Sequence, residues 1–175
     1  MISARQRSDR PRLAAAAIFL AAGTTICGAL AFEHVVGLVP CKLCLIQRYP
    51  YYAALPIALL LAVVPTGRSP HRVGLALLAL LFLVSAGLGA YHAGVEWGWW
   101  AGPNDCGGGT APGTGSVDNF LNTLQNTRVV SCTEAPWRLL GLSLAGWNAL
   151  ISLGLAALAV WALDRERVFE VQHVR

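Results

Sequence analysis

Long uncharged apolar runs constrain this chain more than any other feature of its sequence. Three of them, residues 13–32, 73–91 and 139–163, each contain at least 19 residues without a charged side chain. At about 1.5 Å per helical residue, each is long enough to cross a hydrocarbon core of about 30 Å. A fourth run, 49–64, is shorter and gains length from the apolar residues before it. We therefore predict it as a further span over 45–64.

The composition agrees with lipid as the surrounding solvent. Hydrophobic residues make up 55% of the 175 residues and charged residues only 13%, whereas soluble proteins average about 45–50% and about 25%. The net charge of +4 is divided among the ends and loops, so it predicts no surface for nucleic acid. We expect a single integral membrane domain, an all-α bundle of four transmembrane helices.

The distribution of Lys and Arg predicts the orientation of the spans. Nine of the 13 Lys and Arg residues lie in three segments, 1–12, 65–72 and 164–175. Because positive residues are enriched in cytoplasmic loops, these segments and both termini are predicted to be cytoplasmic. Segments 33–44 and 92–138 then form two outer loops, of which the second is long.

The N-terminal segment also resembles a cleavable signal peptide, because basic residues, an apolar run and the small residues Ala29-Leu30-Ala31 follow one another. The apolar run is longer than the usual apolar core of a signal peptide, which favours a retained span. Either outcome leaves the other three spans with the same orientation, because the 65–72 link stays inside.

Four of the five cysteines lie in the outer loops, and the topology was predicted without using them. Cys41 and Cys44 are in the first loop, and Cys106 and Cys132 are in the second. In a bacterium the outer side is oxidising, so two disulfides are expected there. A four-cysteine zinc site is the alternative, but the second loop lacks a tight Cys-x-x-Cys pair, and we predict no metal. Cys27, in the first span, is expected to be a small buried hydrophobic residue.

The stretch "VPCKLCLIQRYP" joins a Cys-x-x-Cys pair to the start of the second span. A disulfide across two intervening residues constrains little of the chain, and this spacing is typical of redox pairs. Cys44 is expected near a helix N-terminus, where the dipole favours a thiolate. Arg48 follows four residues later on the same helical face, so its permanent charge could stabilise a thiolate or a reduced electron acceptor. The alternative for Arg48 is an interfacial anchor whose charge reaches water.

Glycines surround Cys106 in the second outer loop, which predicts an accessible sulfur that a partner protein can reach. The alternative is a disulfide that only reduces the freedom of this loop. Between its two cysteines, residues 117–124 have apolar side chains at helical spacing. They predict a short helix in the membrane surface, with a plain solvated loop as the alternative.

The motif Cys41-x-Leu43-Cys44-x-x-Gln47-Arg48 opens the second of four predicted helices, and a long outer loop with two more cysteines follows. In these features the chain resembles the disulfide bond formation protein B (DsbB) family, from about the first span to the end of the fourth. The resemblance implies a protein-disulfide oxidoreductase of the bacterial inner membrane. Such a thiol oxidase reoxidises a periplasmic thioredoxin-fold oxidase (DsbA-like) and passes the electrons to ubiquinone or menaquinone.

The resemblance also implies a route for the electrons. The partner delivers its two thiols to a Cys106–Cys132 disulfide and forms a mixed disulfide with Cys106. The electrons then reach the Cys41–Cys44 disulfide, through a transient bond between Cys41 and Cys132. All four cysteines are therefore expected to be catalytic.

The quinone site that the resemblance implies adjoins Cys44, which is the cysteine nearest the membrane. Arg48 is expected close to the quinone oxygen. His92, at the outer end of the third span, could assist with protons or quinone binding, or it could be an ordinary interfacial histidine. Gln47 stands where some relatives have Glu, which leaves the polarity beside Arg48 open.

Other classes of function stay open on the residues. A channel that moves reducing equivalents outward would need cysteines on the inner side or facing mid-span, and Cys27 alone does not supply them. A non-enzymatic scaffold with structural disulfides is disfavoured by the Cys-x-x-Cys pair beside Arg48. A protein similar to vitamin-K-epoxide reductase does related chemistry, but its redox pair near the quinone usually lies late in the helical order.

Overall fold

The computed structural model describes residues 4–65, 68–103 and 132–173, and these residues form a mostly helical bundle. The described elements are, in chain order, α1 (Ala4–His34), α2 (Lys42–Ile46), α3 (Tyr49–Val63), α4 (Arg68–Glu96), β1 (Arg138–Leu139), β2 (Leu142–Ser143) and α5 (Leu144–His173). The second outer loop with Cys106 and the predicted interfacial helix over 117–124 lies outside the described residues.

Within the described residues, three helices are long and apolar enough to cross a membrane. They contain the candidate spans Pro11–His34, Ser69–Glu96 and Leu144–Asp164. The predicted helical fold is thereby confirmed, and three of the four predicted spans have a matching candidate helix. Helix α3 has 15 residues, or about 22 Å of helix, which is shorter than a hydrocarbon core of about 30 Å. The fourth span over 45–64 therefore stays a prediction.

The second predicted helix is interrupted between α2 and α3. Pro50 lies in the first turn of α3 and has no N–H with which to bond the carbonyl of Ile46. The Arg48 amide bonds the Leu45 carbonyl instead, at 3.1 Å, in a tighter turn. As a result Gln47 and Arg48 occupy a turn between two helices, at the end of the bundle where α1 and α4 end.

A tight hairpin precedes the last helix, so α5 begins at Leu144 rather than at residue 139, where the apolar run starts. Its strands pair Arg138 with Ser143 and Leu139 with Leu142. The two turn residues, Leu140 and Gly141, have φ angles of 54° and 82°, which a right-handed helix cannot contain. Composition alone gives no sign of this turn, because four of the five residues in 139–143 are apolar or glycine.

The core of the bundle is built from small and branched side chains on facing helices. Alanines let the backbones approach, and larger residues fill the space between them; the fully buried members include Ala15, Ile18, Ala22, Ala54, Ala58, Leu75, Leu78, Phe82 and Ala159. At Gly89 a Cβ atom would lie 2.9 Å from the Ala149 backbone nitrogen, so α4 and α5 need glycine there. Many large apolar residues, such as Leu20 and Leu80, face outward, as expected for a bundle surrounded by lipid.

The surface position of Cys27 corrects one expectation. The sequence predicts a buried small hydrophobic residue, whereas the side chain is exposed on α1. The core face of α1 runs through Ile18, Ala22 and Ile26. Cys27 follows Ile26 by one residue, which turns it by about 100° away from the core.

A polar contact at the C-terminal end of α3 ties this helix to α1. The Arg12 guanidinium donates to the carbonyls of Ala62 and Val63, the latter at 2.9 Å. These carbonyls belong to the last turn of α3, where no helical amide is available to bond them. Because α1 starts where α3 ends, the two helices run in opposite directions.

Candidate active site

The Cys41–Cys44 pair is shaped by the first turn of α2. Cys41 is the N-cap residue, with an extended backbone, and its sulfur accepts a hydrogen bond from the Cys44 amide at 3.4 Å. This turn brings the two sulfur atoms to 3.2 Å. A disulfide bond is about 2.05 Å long, so the structure describes the pair as two thiols in contact. The disulfide form of the pair stays a prediction.

The contact between the two sulfurs makes the thiols unequal. The Cys41 thiol donates to the Cys44 sulfur, and this hydrogen bond, together with burial, raises the pKa of Cys41 to about 12. The same hydrogen bond lowers the pKa of Cys44, against the opposing effect of burial. Cys44 is therefore the thiol that ionises first, which is the role that the sequence predicts for it.

Arg48 is paired with a carboxylate that the sequence analysis did not single out. Its Nη1 lies 2.5 Å from Glu33 Oε2, and the two side chains are 12% and 27% exposed. Glu33 is the first acidic residue after the first apolar run, on the same predicted outer side as Arg48, and this was the signal available in the sequence. The pairing partly neutralises Arg48, and Arg48, Glu33 and Cys44 all line the same cavity.

A buried hydrogen-bonded chain connects the cysteine pair to α5. The Gln47 amide donates to His92 Nδ1 at 2.8 Å and also to the Leu43 carbonyl at 3.2 Å. Asn148 donates in turn to Gln47 Oε1 at 2.7 Å. Because Nδ1 accepts from Gln47, we infer that neutral His92 carries its proton on Nε2. That nitrogen lies 3.6 Å from the Cys41 sulfur.

Glu96 adds a carboxylate to this buried chain. It lies one turn after His92 on α4, with its Oε1 at 3.8 Å from His92 Nε2 and a side chain that is 3% exposed. Its Oε2 is buried and has no hydrogen-bond partner among the described residues. Sequence reasoning missed both Glu96 and Asn148. The available signals were the His-x-x-x-Glu spacing at the end of the third run and a lone amide within the fourth.

Cys132 lies beside the Cys-x-x-Cys pair. Its side chain is 1% exposed and packs in a small cluster with Cys41, Leu43 and Val95, against which Cys44 is partly buried. The structure thus brings together three of the four predicted catalytic cysteines, although Cys132 is 88 residues after Cys44 in the chain. The fourth, Cys106, lies outside the described residues.

A cavity of about 310 Å³ opens next to the cysteine pair, where α1 and α4 end and α5 begins. Its walls are mostly apolar, with Ile26, Phe32, Trp147 and Ile151 among them. The polar lining includes Cys41, Cys44, Gln47, Arg48, His92, Glu96 and Asn148. Apolar walls with a few convergent polar groups are typical of sites for small ligands, and this volume is at the lower end of their range. The cavity suits an apolar ring that carries polar oxygens.

Comparison with known proteins agrees with the site. The family model described as "Disulfide bond formation protein DsbB" matches residues 11–162. A disulfide bond formation protein B of Marinobacter nauticus is 32% identical over 157 residues, which cover 85% of this chain and 89% of the relative. The protein of the same name from Verminephrobacter eiseniae is 35% identical over 159 residues, which cover 87% and 86%.

A third relative, the disulfide bond formation protein B of Albidiferax ferrireducens, is 36% identical over 154 residues. These residues cover 81% of this chain and 82% of the relative. The matched region contains most of α1, all of α2 to α4 and most of α5, and therefore the whole described site. The resemblance predicted from the motif between Cys41 and Arg48 is thereby confirmed. The chain belongs to the DsbB family of disulfide bond formation proteins.

Proposed function

We propose that this membrane disulfide oxidoreductase reoxidises a thioredoxin-fold thiol oxidase and passes the electrons to a quinone held in the cavity beside Cys44. One observation carries the proposal. The Cys41–Cys44 pair stands between Cys132, which it contacts on one side, and the apolar cavity on the other. A pair in this position can receive electrons from the outer loop and deliver them toward lipid.

The first stage of the relay is thiol–disulfide exchange. A thiolate of the partner attacks Cys106 of the Cys106–Cys132 disulfide and releases the Cys132 thiolate. Cys132 attacks Cys41 of the Cys41–Cys44 disulfide, and Cys44 leaves as a thiolate. Low pKa makes a thiol the better leaving group, so the lowered pKa of Cys44 favours attack at Cys41 rather than at Cys44.

The exchange is completed by two further attacks. The second thiol of the partner releases Cys106, so the partner leaves with a disulfide. Cys106 then attacks Cys132, which restores the loop disulfide and frees Cys41. The freed Cys41 takes up a proton, as its pKa of about 12 requires, and His92 Nε2 lies 3.6 Å from its sulfur. Two electrons now reside on the Cys41–Cys44 dithiol.

The cavity residues fit a quinone. Ile26, Phe32 and Ile151 supply an apolar wall for the ring, and the guanidinium of Arg48 and the amide of Asn148 supply donors for its oxygens. When bound, a quinone supplies the final acceptor for two electrons and two protons. The thiolate of Cys44 faces this cavity, and the pair returns to its disulfide when its electrons leave.

The membrane arrangement in this proposal is that of the sequence prediction. The protein lies in the bacterial inner membrane with both termini in the cytoplasm, and α3 with the turn before it completes a fourth span. Arg12 supports this arrangement, because its bonds to the last turn of α3 put the start of α1 and the end of α3 on one side.

A reconstituted reaction tests the proposal. Purified protein in detergent is mixed with a reduced thioredoxin-fold oxidase and ubiquinone, and quinone absorbance is followed together with the thiols of the oxidase. We expect one quinone reduced for each oxidase oxidised. A Cys106→Ser variant should fail to oxidise the partner. Oxidation of the partner at an unchanged rate in the absence of any quinone would contradict the proposal, provided that oxygen is excluded.

A further inference from the structure

We propose that the reduced Cys41–Cys44 pair and His92 form a binding site for Zn²⁺, with Glu96 as the fourth ligand. The two sulfur atoms and a ring nitrogen of His92 all lie within 4.8 Å of one another. Two thiolates, an imidazole and a carboxylate are ligands that Zn²⁺ commonly takes in proteins. This site differs from a four-cysteine site, because it draws its other ligands from α4 rather than from the second outer loop.

The two shortest distances between these ligand atoms are near those of a tetrahedral site, and all three atoms lie within 4.8 Å of one another. Zinc bonds of about 2.3 Å to sulfur and about 2.0–2.1 Å to nitrogen place two sulfurs roughly 3.8 Å apart, and a sulfur and a nitrogen roughly 3.6 Å apart. Cys41 Sγ is 3.6 Å from His92 Nε2, and the two sulfurs are 3.2 Å apart. Binding therefore requires the thiols to separate by roughly half an ångström, which side-chain rotation can supply.

The environment of Glu96 separately favours a bound cation. Its carboxylate is buried, and its Oε2 has no hydrogen-bond partner among the described residues. Burial of a carboxylate oxygen without a partner is costly, and a cation would satisfy it. Glu96 Oε1 is 3.8 Å from His92 Nε2, whereas two such ligands of one zinc ion lie roughly 3.3 Å apart. A small movement of this side chain completes the site.

Coordination also requires a change in the hydrogen bonds of His92. A metal needs the lone pair of Nε2, so the ring proton must move to Nδ1. The Gln47 amide must then turn to accept that proton, and Asn148 must turn to accept from Gln47. After this rotation Gln47 stays bonded to His92 and to Asn148, and it gives up only its bond to the Leu43 carbonyl. Ligand histidines usually donate their other ring proton in this way.

The site exists only in one redox state. Binding displaces the remaining thiol protons, and the ion then bonds two thiolates; no electrons are exchanged. The Cys41–Cys44 disulfide has no thiolate to offer. Zinc would thus capture the form of the protein that carries electrons. If the proposed relay is correct, it would also stop their delivery to quinone, whereas binding itself does not depend on the relay.

The test measures binding to the full-length protein in detergent. A Cys106→Ser/Cys132→Ser background leaves only the Cys41–Cys44 site and Cys27 as thiols. After reduction and removal of the reductant, Zn²⁺ is titrated against a chromophoric chelator, and Co²⁺ is added separately as a spectroscopic probe. We expect one Zn²⁺ per chain, thiolate-to-cobalt charge-transfer bands with the intense visible bands of tetrahedral Co²⁺, and at least about 100-fold weaker binding after oxidation.

Ligand variants identify the site. His92→Ala and Glu96→Gln should each weaken Zn²⁺ binding by about tenfold or more, whereas the control Cys27→Ser should bind with the parent affinity. Equal affinity in the reduced and oxidised protein would overturn the proposal, and so would parent affinity in His92→Ala. Neither result depends on quinone or partner, so failure of this site and failure of the relay can be told apart.

Discussion

Two buried hydrogen-bonded clusters join the helices of this protein, and they differ in chemistry. The inner cluster consists of Tyr51, Ser85 and Ser152, which lie on three different helices. The Ser152 hydroxyl is 2.8 Å from the Tyr51 hydroxyl and 2.9 Å from the Ser85 hydroxyl. Each hydroxyl can donate and accept, so the cluster can satisfy itself without charge. Such contacts between membrane helices contribute stability of about 0.6 kcal/mol on average, and up to about 1.7.

The outer cluster uses the same helices for groups that change protonation or redox state. His92, Glu96 and the Cys41–Cys44 pair are buried or partly buried there, and one carboxylate oxygen has no partner among the described residues. Ionisable groups at membrane depth are costly and usually mark function. A cluster whose hydrogen bonds are all made within itself holds helices together. A cluster that contains thiols, a histidine and such a carboxylate oxygen can also bind a ligand or take part in a reaction.

The two clusters meet at α5. Asn148, which supports the outer cluster through Gln47, lies one turn before Ser152, and their side-chain oxygens are 3.5 Å apart. Helix packing that the inner cluster stabilises therefore also sets the position of Gln47 and His92. The account predicts that substitutions in the outer cluster mainly change activity and that substitutions in the inner cluster mainly change stability.

Cys44→Ser should have the largest effect. Because Cys44 is the thiolate that faces the cavity, quinone reduction should fall by at least about a thousandfold, while the melting temperature stays near that of the parent. Turnover with partner and quinone measures the first, and thermal unfolding in detergent measures the second. Cys27→Ser is the matched control and should keep full activity. Quinone reduction at the parent rate in Cys44→Ser would reverse the direction of the relay.

The two thiols should differ strongly in reactivity. With a pKa of about 12, Cys41 has roughly a thousandfold less thiolate at pH 8 than a thiol of ordinary pKa 9.0. The pKa of Cys44 is lowered, so its thiolate fraction at pH 8 is raised. Limited alkylation of the reduced Cys106→Ser/Cys132→Ser protein, read by mass spectrometry, should modify Cys44 far ahead of Cys41. Equal modification of both would show that the sulfur contact does not distinguish them.

Arg48→Lys should weaken the use of quinone by about ten- to a hundredfold. The planar fork of Arg can bond Glu33 and a ligand oxygen together, whereas Lys presents a single point of charge. Loss of one charge-assisted hydrogen bond, worth about 1.5–3 kcal/mol, gives roughly this factor. We expect a raised KM for quinone in detergent titrations, with thiol exchange at Cys106 intact.

The control for this variant is Arg12→Lys, at the opposite end of the bundle. Arg12 bonds carbonyls of α3 and borders no part of the cavity, so its substitution should leave the KM for quinone unchanged. Identical quinone titrations for Arg48→Lys and the parent would return Arg48 to the role of a membrane anchor.

Ser152→Ala should have the smallest effect. It removes the hydroxyl that Tyr51 and Ser85 share, at a cost of about 0.6–1.7 kcal/mol in the free energy of unfolding. Turnover should stay within about twofold, because Asn148 loses only its 3.5 Å contact with Ser152 and keeps its 2.7 Å bond to Gln47. Unfolding in a denaturing detergent titration measures the stability. A large loss of activity with unchanged stability would remove the distinction between the two clusters.

The sequence predicts the class of fold and the redox pair because each depends on local features. Run length and charge give three of the spans, and the Cys-x-x-Cys spacing beside Arg48 gives the pair. The rotation of each helix about its axis cannot be predicted in this way, because a run that is apolar on every side does not reveal which face is buried. For this reason the exposure of Cys27 was wrongly predicted, and the sequence signals of Glu96 and Asn148 did not show that their side chains face the cysteine pair.

The pairing of Glu33 with Arg48 and the approach of Cys132 to Cys41 depend on contacts between distant parts of the chain. The second was expected from the family resemblance, and the first was not expected at all. The hairpin before α5 escaped prediction because Leu140 takes a φ of 54°, which is uncommon for leucine. The sequence therefore predicts which residue types take part in the redox chemistry, and the structure is needed to show which of them lie together.

In the proposed relay, the Cys41–Cys44 pair delivers electrons to the quinone without help from Cys106 or Cys132. A single-turnover experiment tests it most directly. The Cys106→Ser/Cys132→Ser protein is reduced chemically, freed of reductant without oxygen and mixed with one equivalent of ubiquinone in a stopped-flow instrument. The account predicts that one quinone is reduced per chain, with loss of two thiols and formation of the Cys41–Cys44 disulfide. A protein that keeps both thiols and leaves the quinone oxidised would contradict it.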